Sequence, residues 1–176
     1  MASILIIYST TDGHTLKICQ RLQQVIEREH HRVELVPVSE ADSAELNRFD
    51  KIVIGASIRY GKHRPEVFDF IERNRKVLDS KPGAFFTVNV VARKLEKNRP
   101  ETNPYVKKFH KKSSWQPRQL AVFAGKIDYQ KYCFWDRQII RLIMWMTKGP
   151  TDLKTVAEFT NWEEVEVFGR RICMME

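Results

Sequence analysis

Ser3-Ile4-Leu5-Ile6-Ile7-Tyr8 runs directly into Ser9-Thr10-Thr11-Asp12-Gly13-His14-Thr15. Six residues with three Ile, unbroken by a charge, read as a strand buried on both faces, as in a parallel sheet. The next residues are rich in hydroxyls and include one Gly, and a helical pattern begins at Thr15. A strand, a hydroxyl turn and a helix N-terminus in succession aim free N–H groups and hydroxyls at one point at the positive end of the helix dipole, which is where a phosphate group sits. The plain alternative is a structural turn capped by Thr15.

Outward from this turn, strand and helix patterns alternate. Thr15–His30 spaces Leu16, Cys19, Leu22 and Ile26 for one helical face. Arg32–Val38 reads as strand two, Ser43–Asn47 as a short helical turn and Lys51–Ala56 as strand three. Pro65–Leu78 reads as a helix, Gly83–Val91 as strand four, Leu120–Ile127 as strand five, and Trp162–Met174 as a last helix with Val165, Phe168 and Ile172 on one side. Alternating apolar strands and helices imply an α/β fold with a doubly wound, five-stranded parallel sheet in the order 2-1-3-4-5, and a ligand outside the carboxyl ends of the strands. Residues 1–176 are expected to form one domain. Two regions fall outside the alternation: the basic stretch Arg93–Gln119, within which Tyr105–Lys112 suits a helix, and an insertion of about 128–155, where a short loop would suffice.

Hydrophobic residues make up 43% of the 176 and charged residues 30%, as in a water-soluble globular chain, but the net charge is +8. Such an excess points to an anionic partner, whether a lipid surface, nucleic acid or an acidic substrate; the alternative is simply a solvated basic surface. No nucleic-acid motif accompanies it, so a nucleic-acid partner is not expected. Cys19, Cys133 and Cys173 are odd in number and lack metal or redox spacing, so reduced thiols are expected, and the histidines show no spacing for a metal. The first apolar run is too short for a signal peptide, and no stretch reaches the roughly 18 apolar residues of a membrane span. Any membrane association is therefore expected to be peripheral.

The first turn has neither the Gly-Lys-Ser/Thr of a P-loop nor Gly-x-Gly-x-x-Gly, so nucleoside triphosphate and dinucleotide sites are not supported. A hydroxyl-rich turn suits a terminal monoester phosphate, as in FMN. Two further loops fall at the same sheet edge. In Gly55-Ala56-Ser57-Ile58-Arg59-Tyr60-Gly61, the glycines allow close backbone approach and Tyr60 offers a ring; Asn89-Val90-Val91-Ala92-Arg93 follows strand four.

With these three segments the chain resembles the flavodoxin family over essentially its whole length. Ile54–Gly61, Val88–Lys94 and Trp135-Asp136-Arg137 with Met144 and Met146 resemble one branch of it, the quinone-dependent protoporphyrinogen IX dehydrogenases of bacteria. The resemblance implies non-covalent FMN, with Thr10, Thr11, Asp12, Gly13, His14 and Thr15 around its phosphate. It implies Ser57, Ile58, Arg59, Tyr60 and Gly61 on one side of the flavin ring, and Asn89, Val90, Val91, Ala92 and Arg93 on the other. It also implies FMN-dependent oxidation of protoporphyrinogen IX to protoporphyrin IX in haem biosynthesis. That reaction removes six electrons, hence three flavin cycles, with a membrane quinone such as menaquinone as acceptor. The implied location is the cytoplasm, against the inner face of the bacterial membrane. An electron-carrying flavodoxin and an NAD(P)H:quinone reductase remain the alternatives; the positive charge opposes the first, and no nicotinamide site is evident for the second.

Two departures matter. Asp12 stands where flavodoxins usually have a Thr, and its charge opposes a phosphate dianion, so Asp12 is expected to turn away and cap backbone N–H groups. The loop after strand four has no aromatic, which leaves one flavin face for a substrate. Within the insertion, Phe134–Lys148 reads as a helix with Trp135, Ile139, Leu142, Ile143 and Met146 on an apolar side widened by Ile140 and Met144, and with Arg137, Arg141 and Lys148 on another side near Trp145. Gly149-Pro150 ends it. This pattern suits an interfacial helix that meets anionic lipid, a quinone or the porphyrinogen, with Met144 and Met146 supplying an adaptable surface. The alternative is packing on the chain's own core or on a second copy in a homo-oligomer. Arg59 and Arg93, beside the flavin loops, are the candidates for a substrate carboxylate, and Trp135, Arg137, Arg141 and Trp145 for substrate or membrane contact. No catalytic acid or base is assigned.

Overall fold

The apolar runs form the middle of one sheet in a computed structural model that describes residues 1–41 and 43–176. In chain order the elements are β1 (Ser3–Ser9), α1 (His14–Arg28), β2 (Arg32–Pro37), β3 (Lys51–Arg59), β4 (Lys62–His63), α2 (Pro65–Arg73), α3 (Arg75–Ser80) and β5 (Gly83–Asn89). There follow α4 (Pro104–Lys112), β6 (Gln119–Ala124), β7 (Lys126–Asp128), α5 (Phe134–Met146), β8 (Val156–Glu158) and α6 (Trp162–Met174). Strands β2-β1-β3-β5-β6 lie side by side in that order and all pair in parallel, which is the 2-1-3-4-5 order read from the sequence.

Strand periodicity divides the core in two. Ile4, Ile6, Val53 and Phe86 face α1 and α6, where they meet Ile18, Leu22, Ile26, Val165, Phe168 and Ile172. Leu5, Ile7, Ile52, Ile54 and Phe85 face α2 and α4, meeting Phe70, Ile71, Phe109 and the fully buried Trp115. Gly169 lets α6 approach α1, since a Cβ there would lie 2.9 Å from Val25 Cγ1.

Besides shifts of one or two residues at other element ends, four boundaries near the site differ from the sequence reading, each for a local reason. Strand three does not end at Ala56; β3 continues to Arg59 and returns through Tyr60 (φ 49°) and Gly61 (φ 73°) to pair antiparallel with β4. Two successive positive φ values are what a tight two-residue hairpin requires. Gly55 thus lies inside the strand, and its missing Cβ makes room for the Phe86 ring rather than for a ligand. The helix expected over Pro65–Leu78 breaks at Asn74, whose side-chain amide donates to Phe70 O at 2.8 Å in competition with the helix ladder. Strand four ends at Asn89, and Val90–Arg93 is a 3-10 turn.

Strand five stops at Ala124. After Gly125 the chain leaves the main sheet as β7, which pairs antiparallel with β8, so a small ribbon brackets the insertion. Within that insertion α5 lays Ile140, Ile143 and Met144 on a cluster of Ile127, Tyr129 and Tyr132. Of the apolar side read from the sequence, Ile143 and Met144 thus pack inward. Phe134, Trp135, Ile139, Leu142, Trp145 and Met146 are exposed. Among the described residues no helix is long and apolar enough to cross a membrane.

Candidate functional site

β1 delivers the turn Thr10–Gly13 to the carboxyl edge of the sheet, and α1 starts from it. Gly13 takes a left-handed conformation (φ 82°) at the N-cap position, and no side chain caps the first turn. The Gly13 N–H donates to Thr10 Oγ1 at 3.1 Å. Thr15, one residue into the helix, is 1% exposed, and its Oγ1 has no hydrogen-bond partner among the described residues. Across the same small cavity, of about 50 Å³, stands Asn89 at the end of β5. Its Oδ1 accepts from the Ala92 N–H at 3.0 Å and from Asn103 Nδ2 at 3.3 Å, and its own Nδ2 is buried without a partner. Asp12, His14, Ser57, Ile58 and Lys126 are among the other residues that line it. Buried polar groups are nearly always paired, and each one left unpaired costs about 1–3 kcal/mol. Two such groups in one cavity at a helix N-terminus fit a compact, oxygen-rich ligand head.

His14 lines the same cavity and turns its ring to the loop before α6. Its Nε2 lies 2.6 Å from Thr160 Oγ1, and the Thr160 hydroxyl donates to Ala124 O at 2.7 Å. The hydroxyl has one proton, so His14 Nε2 is the donor to it. Burial holds the imidazole below its ordinary pKa, which is consistent with the neutral form.

Asp12 does not cap the backbone as expected; Thr10 does that. The Asp12 carboxylate pairs with Arg59, Nη1 to Oδ2, at 3.2 Å. Burial raises its pKa more than Arg59 and Lys131 lower it. The other arm of Arg59, Nη2, meets Asp136 in the first turn of α5 at 2.7 Å. The guanidinium carbon is 5.3 Å from the Tyr60 ring centre and 5.0 Å from that of Tyr132. Arg93 is engaged as well. It donates to Val90 O (3.1 Å), Thr147 O (2.9 Å) and Thr147 Oγ1 (3.1 Å), and so covers the C-terminus of α5. Both arginines read from the sequence as grips for a substrate carboxylate are engaged with the insertion here, through fixed carboxylates and backbone carbonyls.

The remaining residues divide by depth. Ser57 Oγ donates weakly to Ser9 O (3.4 Å), Tyr60 is half exposed, Ala92 is buried, and Val90 packs beside Tyr129. Arg137 donates to Tyr132 O at 3.2 Å. Arg141 and Trp145 stay on the outside and, with Gln138, Leu142 and Thr151, line a shallow cleft of about 320 Å³. The sequence reading missed Asn103, Asp136, Tyr132 and Thr160. Asn103-Pro104 carried a helix-start signal and Asp136 a first-turn acid, whereas nothing local marked Tyr132 or Thr160.

The flavodoxin domain, as a sequence family, matches residues 5–154 of this chain. The chain is 39% identical over 168 residues to Protoporphyrinogen IX dehydrogenase [quinone] of Escherichia coli strain K12, covering 96% of this chain and 93% of that protein. It is 39% identical over 165 residues to the protein of the same name from Leishmania major, covering 93% of this chain and 71% of that one. Its backbone is similar to that of oxidised flavodoxin 1 from Bacillus cereus, with a TM-score of 0.53, 14% identity and 97% of each chain covered.

Proposed function

The chain belongs to the flavodoxin domain family, and from that premise we propose that it is an FMN-dependent protoporphyrinogen IX dehydrogenase of haem biosynthesis with a membrane quinone as electron acceptor. The observation that carries the reading is 39% identity over 96% of the chain to an enzyme of that name, in a chain whose β1–α1 turn and β5 end face one cavity with two buried, unpartnered polar groups. One domain over residues 1–176 holds both the cradle and the insertion.

Thr10, Thr15 and the free N–H groups at the start of α1 would hold the phosphate, with Asn89 Nδ2 supplying a further donor. The Ser57–Gly61 hairpin and the Asn89–Arg93 turn would flank the ring system. When bound, the flavin supplies the redox chemistry, taking electrons pairwise from a C–H donor and passing them to a quinone. The chain's own residues bind, orient and exclude water. His14, neutral and committed to Thr160, orients the loop before α6 without adding charge beside the phosphate. The turn after β5 is built from Val90, Val91 and Ala92, with no aromatic lid, which leaves a flat substrate access to the flavin. The exposed apolar face of α5 would meet the anionic membrane surface in which the quinone resides.

The test is anaerobic: purified chain with FMN is given protoporphyrinogen IX, with and without menaquinone. Porphyrin fluorescence is expected to grow only when the quinone is present. No quinone-dependent growth refutes the reading.

A further inference from the structure

Arg59 ties together three segments far apart in the chain. It stands at the end of β3 with its side chain 18% exposed, pairing with Asp12 on the β1–α1 turn and Asp136 on α5. Tyr60 and Tyr132 flank the guanidinium, so the fork has little freedom to turn elsewhere. Asp12 is a carboxylate placed within the turn that receives the phosphate, where it would repel a dianion unless neutralised. The other end of α5 is held separately, through Arg93 and Thr147.

We infer that Arg59 is a positioning residue with two tasks: it neutralises Asp12 beside the cofactor phosphate, and it latches the first turn of the insertion helix to that same turn. The first task rests on the flavin reading above; the second stands on the ion pairs alone. Removing Arg59 thus disturbs cofactor affinity and helix docking together, and the two losses are separable, because one runs through Asp12 and the other through Asp136.

The experiment reads FMN affinity by quenching of flavin fluorescence at pH 7.5, and the docking of α5 by the rate of tryptic cleavage after Arg137 and Arg141. Arg59→Gln is expected to weaken FMN binding about tenfold and to speed cleavage severalfold. Asp12→Asn combined with Arg59→Gln is expected to return FMN affinity to within about threefold of the parent chain while cleavage stays fast. Asp136→Asn is expected to speed cleavage with FMN affinity changed less than about twofold. Should Arg59→Gln fail to fold, Arg59→Lys, which keeps the charge and loses the fork, is expected to hold FMN affinity within about threefold and still open α5. The cofactor task is overturned if Arg59→Gln binds FMN like the parent chain, or if adding Asp12→Asn rescues nothing. The latch is overturned if Asp136→Asn leaves cleavage unchanged. A parent chain that binds no FMN overturns the cradle reading and the cofactor task with it, while trypsin still decides the latch.

Discussion

The cradle at the end of β1 and the outer face of α5 depart from ordinary protein surfaces in opposite senses. At the cradle, Thr15 Oγ1 and Asn89 Nδ2 are polar groups buried without a partner. On α5, Phe134, Trp135, Ile139, Leu142, Trp145 and Met146 are large apolar groups left in water. Each departure costs free energy in the isolated chain, and each would be relieved by a different kind of partner: a polar, oxygen-rich group for the first, an apolar surface for the second. The proposed function would use both, the first for a cofactor head and the second for a lipid surface. A quinone-linked flavin enzyme needs both, whereas a carrier that works between proteins in water has no use for the second.

The largest effect is expected on α5. Replacing Trp135, Leu142 and Trp145 together by Ser removes three exposed apolar groups, each worth about 1.5–3 kcal/mol on transfer out of water. Partitioning onto anionic vesicles, measured by sedimentation, is expected to fall by about a hundredfold or more, with the melting temperature nearly unchanged. Equal partitioning would return α5 to packing against a second copy. Next comes acid stability beneath the hairpin. His63 is buried against Phe68, Phe85 and Phe109 with Nε2 2.9 Å from Thr87 Oγ1, and burial lowers its pKa from 6.5 to about 4. The unfolded chain takes up this proton near pH 6.5 and the folded chain only near pH 4. Stability from this group is therefore complete above pH 6.5 and is lost as pH falls toward 4, by about 3 kcal/mol. Urea unfolding of the parent and His63→Gln chains at pH 7 and pH 4.5 checks this; the variant is expected to lose less. The smallest effect belongs to Thr15→Val, which keeps the shape and removes the hydroxyl. FMN affinity is expected to fall about tenfold, while the chain without FMN melts no lower than the parent, since an unpartnered buried group is gone. A lowered melting temperature without FMN would mean that Thr15 serves the fold rather than the ligand.

The final helix shows how much short-range pattern carries. The spacing of Val165, Phe168 and Ile172 is the buried face of α6, and its ends fall at Trp162 and Met174 as read from the sequence. The parallel order follows likewise from apolar strands joined by helices. The hydroxyl turn suggests an anion site from the sequence because its donors lie within six residues of one another. The arginines were not readable in this way. Arg59 finds partners 47 and 77 residues away, and Arg93 finds one 54 residues away, and nothing local in the sequence announces these contacts. The inner and outer faces of α5 were confused for a related reason: apolar residues surround most of this helix, and only the site of docking distinguishes Met144 from Met146.

Local pattern in the chain was enough to establish the layered sheet, its order and an insertion with an excess of apolar and basic residues, because strand and helix periods act over a few residues. Packing chose which groups remain unpaired in the cradle, which face of α5 meets the fold, and which carboxylates Arg59 takes. Those choices depend on desolvation and on contacts between segments that meet only once the sheet has formed.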